Sequence, residues 1–199
     1  MSRPTLTAIS LHRPAQTSGV DAATISRAKL GDIDAFTAIV EAYYARCLRF
    51  GRGVLRNPDD AEDVVQETFI RLYRALPRYE ERQRFEPWLF HILGNCCRTA
   101  NKSGHRRDVI HTRDDRAMAR TAAPDVSPAR DEAEWADAVR RALAEVPVYN
   151  REIFLLHYIE GFSYEEIERM TGVRRSALKM RVKRASDLLR ALLSGRNDD

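Results

Sequence analysis

The stretch "FSYEEIERMTGVRRSALKMRVKRA", Phe162 to Ala185, decides the fold. It divides at Thr171-Gly172 into two short helical patterns. Ser163 with Glu166 three residues on is a capping box, so a helix starts at Tyr164. Ile167 and Met170 fall on its inner face, and Gly172 can take the positive φ that a tight turn needs. The second pattern buries Leu178, Val182, Ala185, Leu189 and Leu192. It leaves Ser176, Lys179, Met180, Lys183, Arg184 and Asp187 on or beside the opposite face. This is a helix-turn-helix pattern, which places the start of its second helix in the major groove of DNA. The bases gather there: Arg174, Arg175, Lys179, Arg181, Lys183 and Arg184 occur with no intervening acid. Arg and Lys neutralise phosphates and also donate to guanine O6 and N7. A solvated amphipathic helix with snorkelling bases is the plainer reading. The capping box, the turn and the one-sided charge together favour DNA.

The rest of the chain carries opposite charge elsewhere. Its 199 residues suffice for one large domain or two small ones, and 44% hydrophobic with 31% charged content predicts a soluble protein with a core. The net charge of +4 is mildly basic. "PDDAEDVVQE", Pro58 to Glu67, holds five acids and no base, so two segments of opposite sign imply two partner surfaces. No apolar run is long enough to span a bilayer, so no membrane insertion is expected. The first twenty residues lack the apolar core of a secretory signal and read as a disordered leader, which predicts a cytoplasmic protein. The three cysteines, Cys47, Cys96 and Cys97, are odd in number, and two are adjacent. That fits neither a disulfide framework nor metal-ligand spacing. No phosphate loop, metal cluster or catalytic constellation is present, so no catalytic residue, metal or cofactor is expected and the chain does not read as an enzyme.

Almost every segment reads as helix, and no run has the period of a strand. Phe36, Ile39, Val40, Tyr43, Tyr44, Cys47 and Leu48 form one apolar stripe. Asn57 caps the next helix, with Pro58 at its first position and Asp59 and Asp60 complementing its dipole. Its stripe is Ala61, Val64, Val65, Thr68, Phe69, Leu72 and Leu76, ended by Pro77. After the polar loop "RYEERQRFE", Pro87 opens a helix that buries Trp88, Leu89, Ile92, Leu93 and Cys96 and stops near Gly104. From about Asp108 to Arg130, two prolines and few large apolar residues predict a linker. A second domain then follows, with Trp135, Val139, Ala142, Leu143 and Val146 on one stripe and Ile153, Phe154, Leu156, His157 and Ile159 on the next. The expected class is all-α: two small helical domains, about 21–107 and 131–195, joined by a flexible linker 108–130, with a tail at 196–199.

These segments, in this order, resemble the ECF type of bacterial RNA polymerase sigma factor. "NPDDAEDVVQETFIRLYRAL" is similar to the family's polymerase-binding region two. "FEPWLFHILGNCCRTANKSGHRR" resembles its promoter-melting and minus-ten stretch, and "VPVYNREIFLLHYIEGFSYEEIERMTGVRRSALKMRVKRA" resembles region four, which reads the minus-thirty-five element. The resemblance covers the chain from about Thr24 to Leu193. It implies that core RNA polymerase is bound through Asp60, Glu62, Asp63, Gln66 and Glu67. It matches Asn95 to an asparagine that contacts a base flipped from the non-template strand. It matches Glu81 to Glu86 to the loop that encloses that base, where Phe85 is expected to stack. Trp88 reads as core, because its spacing to Ile92 is helical. Arg98, Lys102, Arg106 and Arg107 would track phosphates. In region four Lys179 and Arg181 keep the family pattern. Ser176, Ala177 and Met180 depart from it, and Arg174 and Arg175 stand where Pro-Val is usual. The resemblance also implies promoter DNA and an anti-sigma factor as partners. The alternative is a helix-turn-helix regulator that is not a polymerase subunit, with the first domain a sensor or dimeriser.

Overall fold

The computed structural model describes residues 19–80, 84–111 and 128–194, with side chains described outside 104–134. All regular structure among the described residues is helical. The order is α1 (Ala22–Lys29), α2 (Ile33–Val54), α3 (Ala61–Ala75), α4 (Phe85–His111), α5 (Pro128–Glu145), α6 (Val148–Tyr158), α7 (Tyr164–Thr171) and α8 (Arg175–Ser194).

The first half is a bundle of α1 to α4. Asp32 caps α2 by accepting from Ala35 N at 3.0 Å. Its predicted stripe is inward, with Ile39, Tyr43 and Cys47 buried and Phe36, Val40, Tyr44 and Leu48 half-buried. Asn57 accepts from Asp59 N at 3.2 Å and caps a 3-10 turn, Pro58–Asp60, that leads into α3. The predicted α3 stripe is buried throughout. A second 3-10 turn, Leu76–Arg78, contains Pro77 and ends the element. Aromatic rings close the bundle beneath α4: Tyr79 lies 4.7 Å from Trp88 and 5.7 Å from Phe85, centroid to centroid.

The second half packs α5, α6 and α7 around α8. Gly172 takes φ 68° at the end of α7, the left-handed cap that the turn requires. Ile167, Met170, Leu178, Val182, Ala185 and Leu189 are buried.

Five expectations are corrected. The helix α1 has no counterpart in the sequence reading, though Asp21 caps it by accepting from Thr24 N at 2.7 Å. Helix α4 starts at Phe85, two residues before Pro87, because proline is tolerated throughout a first turn whose N–H groups have no intrahelical partner. It also continues through Gly104 to His111, since a helical glycine costs only about 1 kcal/mol and is no obligate stop. Helix α5 begins at Pro128, within the expected linker, where proline suits the first position. Trp135 and Leu192 are exposed rather than buried, Leu192 lying in the last turn of its helix.

Candidate nucleic-acid and polymerase interfaces

The helix-turn-helix is built as its sequence predicts. Ser163 N donates to Glu166 Oε2 at 2.9 Å and Glu166 N donates to Ser163 Oγ at 3.2 Å. This reciprocal cap fixes where α7 begins, and Gly172 then fixes the entry of α8. Arg174, just ahead of α8, is exposed, as are Ser176, Ala177, Lys179, Met180, Lys183 and Arg184 on it. Arg175 is exposed too, but its Nε donates to Glu168 Oε2 at 2.7 Å, which ties the start of α8 back to α7. Arg181 is half-buried, with its guanidinium 5.9 Å from the Tyr149 ring. Met180 is 52% exposed, so an apolar side chain sits within the basic surface, free to touch a thymine methyl.

On α3 the buried stripe turns the acids outward. Glu62, Asp63 and Gln66 are exposed, while Asp60 and Glu67 are half-buried. Glu67 accepts from Arg71 at 2.7 Å, Glu62 pairs with Arg52 at 3.3 Å, and Asp60 accepts from Asn57 Nδ2 at 3.2 Å. Ile70 and Tyr73 continue the line of Asp63 and Gln66 at helical spacing, and both are exposed. Tyr73 meets Phe36 of α2 edge-on at 4.9 Å. The sequence reading missed this apolar half of the face, although two large apolar residues outside the α3 stripe were its signal.

On α4 two residues depart from expectation. Phe85 is only 6% exposed and packs against Tyr43, Tyr79 and Trp88, so its ring belongs to the core and is not a base-stacking surface. Glu81, Arg82 and Gln83, in the loop expected to enclose the base, lie outside the described residues. Trp88 packs on Tyr79 and Phe85, as a core residue should. Asn95 is half-buried, with both ends of its amide engaged: Nδ2 meets His91 Nε2 at 3.0 Å and Oδ1 accepts from Arg98 Nη2. Arg98 is not an open phosphate contact, because its Nη1 is paired with Glu152. Lys102 is exposed, and the side chains of Arg106 and Arg107 lie outside the described set.

Arg98 to Glu152 is one of several bonds between the two halves. Arg46 of α2 donates to Glu160 Oε2 at 2.5 Å and to Glu86 Oε2 at 3.0 Å, with its guanidinium 4.9 Å from the Phe90 ring. Phe90 meets Phe162 edge-on at 5.3 Å. Arg84 donates to Glu166 at 2.5 Å, and His91 Nδ1 meets the Met170 carbonyl. Two helix glycines allow the close approach. A Cβ at Gly53 would lie 2.9 Å from Leu155 Cδ1, and one at Gly94 would lie 2.9 Å from Glu152 Oε1. Burial dominates the electrostatics here. It pushes the Glu152 carboxyl up to about 7, against the pull of Arg98 and Arg181. It pushes Glu160 up as well, against Arg46. Arg151 is pushed down by burial and by Arg56, and its Nε has no hydrogen-bond partner. The sequence hinted at these groups only by placing Arg151, Glu152 and Glu160 in an otherwise apolar run.

Comparison with known proteins follows this division of the chain. Residues 39–107 match the model of Sigma-70 region 2, and residues 136–189 match that of Sigma-70, region 4. The RNA polymerase sigma factor CarQ of Myxococcus xanthus is 33% identical over 169 residues, covering 85% of this chain and 95% of CarQ. The ECF RNA polymerase sigma factor SigW of Bacillus subtilis is 27% identical, covering 85% of this chain and 94% of SigW. Among solved structures, CnrH in complex with the cytosolic domain of CnrY superposes with a TM-score of 0.63 at 25% identity, covering 88% of this chain and 98% of CnrH. RpoE of Bartonella quintana, solved with the anti-sigma factor NepR, gives 0.65 at 22% identity over 81% of this chain and 98% of its own. Both halves match in order and nearly end to end, and so the chain belongs to the ECF sigma factors of bacterial RNA polymerase.

Proposed function

We propose that this sigma factor docks on core RNA polymerase through the outer face of α3 and reads promoters with α4 and α8. The observation that carries this reading is the presence, in one chain, of an acidic and apolar face on α3 and a basic helix-turn-helix surface on α8. The polymerase face comprises Asp60, Glu62, Asp63, Gln66 and Glu67, continued by Ile70 and Tyr73. Acidic side chains suit a basic partner, and the exposed apolar pair supplies area to bury. Asn95 contacts the flipped base of the melted minus-ten strand, with Lys102, Arg106 and Arg107 along its phosphates and Arg98 beside it. Arg174, Ser176, Lys179, Met180, Lys183 and Arg184 meet the minus-thirty-five duplex, with Arg175 and Arg181 at its margin. Capture of unpaired bases by α4 offsets the cost of opening the duplex.

The protein needs no catalytic group or cofactor for this work, since the polymerase supplies the chemistry. It acts in the cytoplasm with polymerase and DNA. Among the described residues no helix is long and apolar enough to cross a membrane. An anti-sigma factor is a further partner, by analogy with CnrH, which was solved bound to the cytosolic domain of CnrY. The two units are residues 21–107 and 131–195, with α4 and α5 reaching into the segment between them.

Run-off transcription with purified core polymerase tests the reading. Specific initiation at a cognate promoter is expected only when this protein is added. If the chain binds promoter DNA yet leaves core unable to initiate, it is instead a regulator outside the polymerase.

A further inference from the structure

Asn95 lies in the middle of an unbroken line of hydrogen bonds that begins and ends in the second domain. His91, Asn95 and Arg98 are spaced four and three residues apart, on one face of α4. His91 Nδ1 faces the Met170 carbonyl, which can only accept, so Nδ1 carries the proton and Nε2 is left as an acceptor. That assigns the Asn95 nitrogen to the His91 side, where Nδ2 donates at 3.0 Å. The Asn95 oxygen therefore faces Arg98, whose Nη2 donates to it while Nη1 donates to Glu152. Met170 belongs to α7 and Glu152 to α6. The side chain of Glu152 is 3% exposed, so this end of the line is dry. Gly94, next to Asn95, lets Glu152 come close, because any Cβ there would lie 2.9 Å from its Oε1.

A base edge needs a donor and an acceptor from Asn95 at once. Here one donor is given to His91 and one acceptor to Arg98, and the outer ends of both partners are gripped by the second domain. We propose that His91 and Arg98 are positioning residues that hold the Asn95 amide in one orientation, and that the docked second domain, through Met170 and Glu152, keeps that amide from DNA. When α6 and α7 leave, His91 and Arg98 keep their bonds to Asn95 and the face between them opens to a base. This rests on the reading of Asn95 as the base contact.

The test opens the molecule at a distance from α4. Gly53→Leu places a side chain where Leu155 now packs, and it replaces a helical glycine, so the first domain keeps its fold. Arg46→Ala is a second opener, since it strips Glu160 of its partner. Full-length protein is used throughout, with small-angle scattering for size, circular dichroism for helix content, and selection from a random-sequence single-stranded DNA pool for base reading. At unchanged helix content an opener is expected to enlarge the radius of gyration and to enrich one base at one position. Adding His91→Phe to the opened protein is expected to cut that enrichment about tenfold, the scale of one bidentate base contact. Overall affinity for the pool should stay within about twofold, because phosphate contacts remain.

Three results overturn the proposal. Neither opener enlarges the molecule; or the intact protein enriches the base as strongly as the opened one; or His91→Phe leaves the enrichment unchanged. The underlying reading has its own control: if Asn95→Ala in the opened protein keeps the enrichment, the base contact lies elsewhere.

Discussion

An asparagine amide recognises a base edge because it offers a donor and an acceptor side by side, and Asn95, the residue proposed for that task, is held by helical neighbours rather than by a loop. Replacing it with alanine removes both groups while favouring the helix. Asn95→Ala is therefore expected to lower promoter opening about tenfold, read as permanganate reactivity of unpaired thymines, with affinity for core polymerase unchanged. Equal loss of both would mean that α4 is merely destabilised. Single residues were legible in the sequence where one local geometry determines them. Ser163, Glu166 and Gly172 take the predicted cap and turn, because each answers to neighbours within a few positions. Phe85 was misjudged, since an aromatic residue at the edge of a polar loop is equally suited to a base or a core. What decides is three rings from α2, the turn after α3 and α4, which no local pattern reveals.

At the scale of elements, α8 divides its residues by function. Leu178, Val182, Ala185 and Leu189 attach it to the domain, so its exposed bases are free to meet phosphate. Lys179 and Lys183 are both exposed, and neither is needed for the core. The double change Lys179→Ala with Lys183→Ala should reduce the salt dependence of duplex binding by about 2 in the slope of log K against log salt concentration. Titrations of a minus-thirty-five duplex across a salt series check this, and an unchanged slope would remove both residues from the phosphate contacts. The helices themselves were legible wherever an apolar stripe ran for three turns, as in α2, α3 and α8. Helix α1 was not, because its eight residues span barely two turns and bury only Ala28. The ends of α4 and α5 were misplaced for a related reason. Gly104 and Pro128 shift helix stability modestly, and the surrounding chain decides whether they interrupt or open a helix.

At the scale of the molecule, the two halves dock through charged groups that have left water. A buried ion pair is a weak source of stability, because desolvation opposes the Coulomb attraction. The raised carboxyls of Glu152 and Glu160 give that balance a sign. Each binds its proton more tightly in the folded, docked protein than in the open chain. Their protonated forms therefore favour docking, and stability falls as pH rises from the ordinary carboxylate range toward about 7 at Glu152. Arg98 and Arg181 face Glu152 and pull against this rise. Glu166, Asp21 and Asp32 are lowered, so their contribution changes only under more acid conditions. Thermal unfolding is expected to show a lower midpoint at pH 8 than at pH 6, and Glu152→Gln should flatten that difference. A midpoint that rises over the same interval would contradict the burial of Glu152. The sequence hinted at this docking only through charges set in an apolar run, and it did not name their partners. The partners Arg46 and Glu160 are separated by 114 positions, and no local pattern pairs them.

The cysteines carry a practical consequence. Cys47, Cys96 and Cys97 are all buried in the first domain, and the described second domain has none. Burial raises the thiol of Cys47 to about 12 and that of Cys97 upward as well, so neither is a reactive thiolate while the domain is closed. Alkylation should then act as a clock for one half of the molecule. Iodoacetamide at pH 8 is expected to modify the native protein only as fast as the halves part or the first domain unfolds, since Glu160 and Glu152 of the second half lie beside Cys47 and Cys97. Rapid labelling in native buffer would refute the clock. A dye attached to an added surface cysteine would report on the second domain without removal of any native thiol.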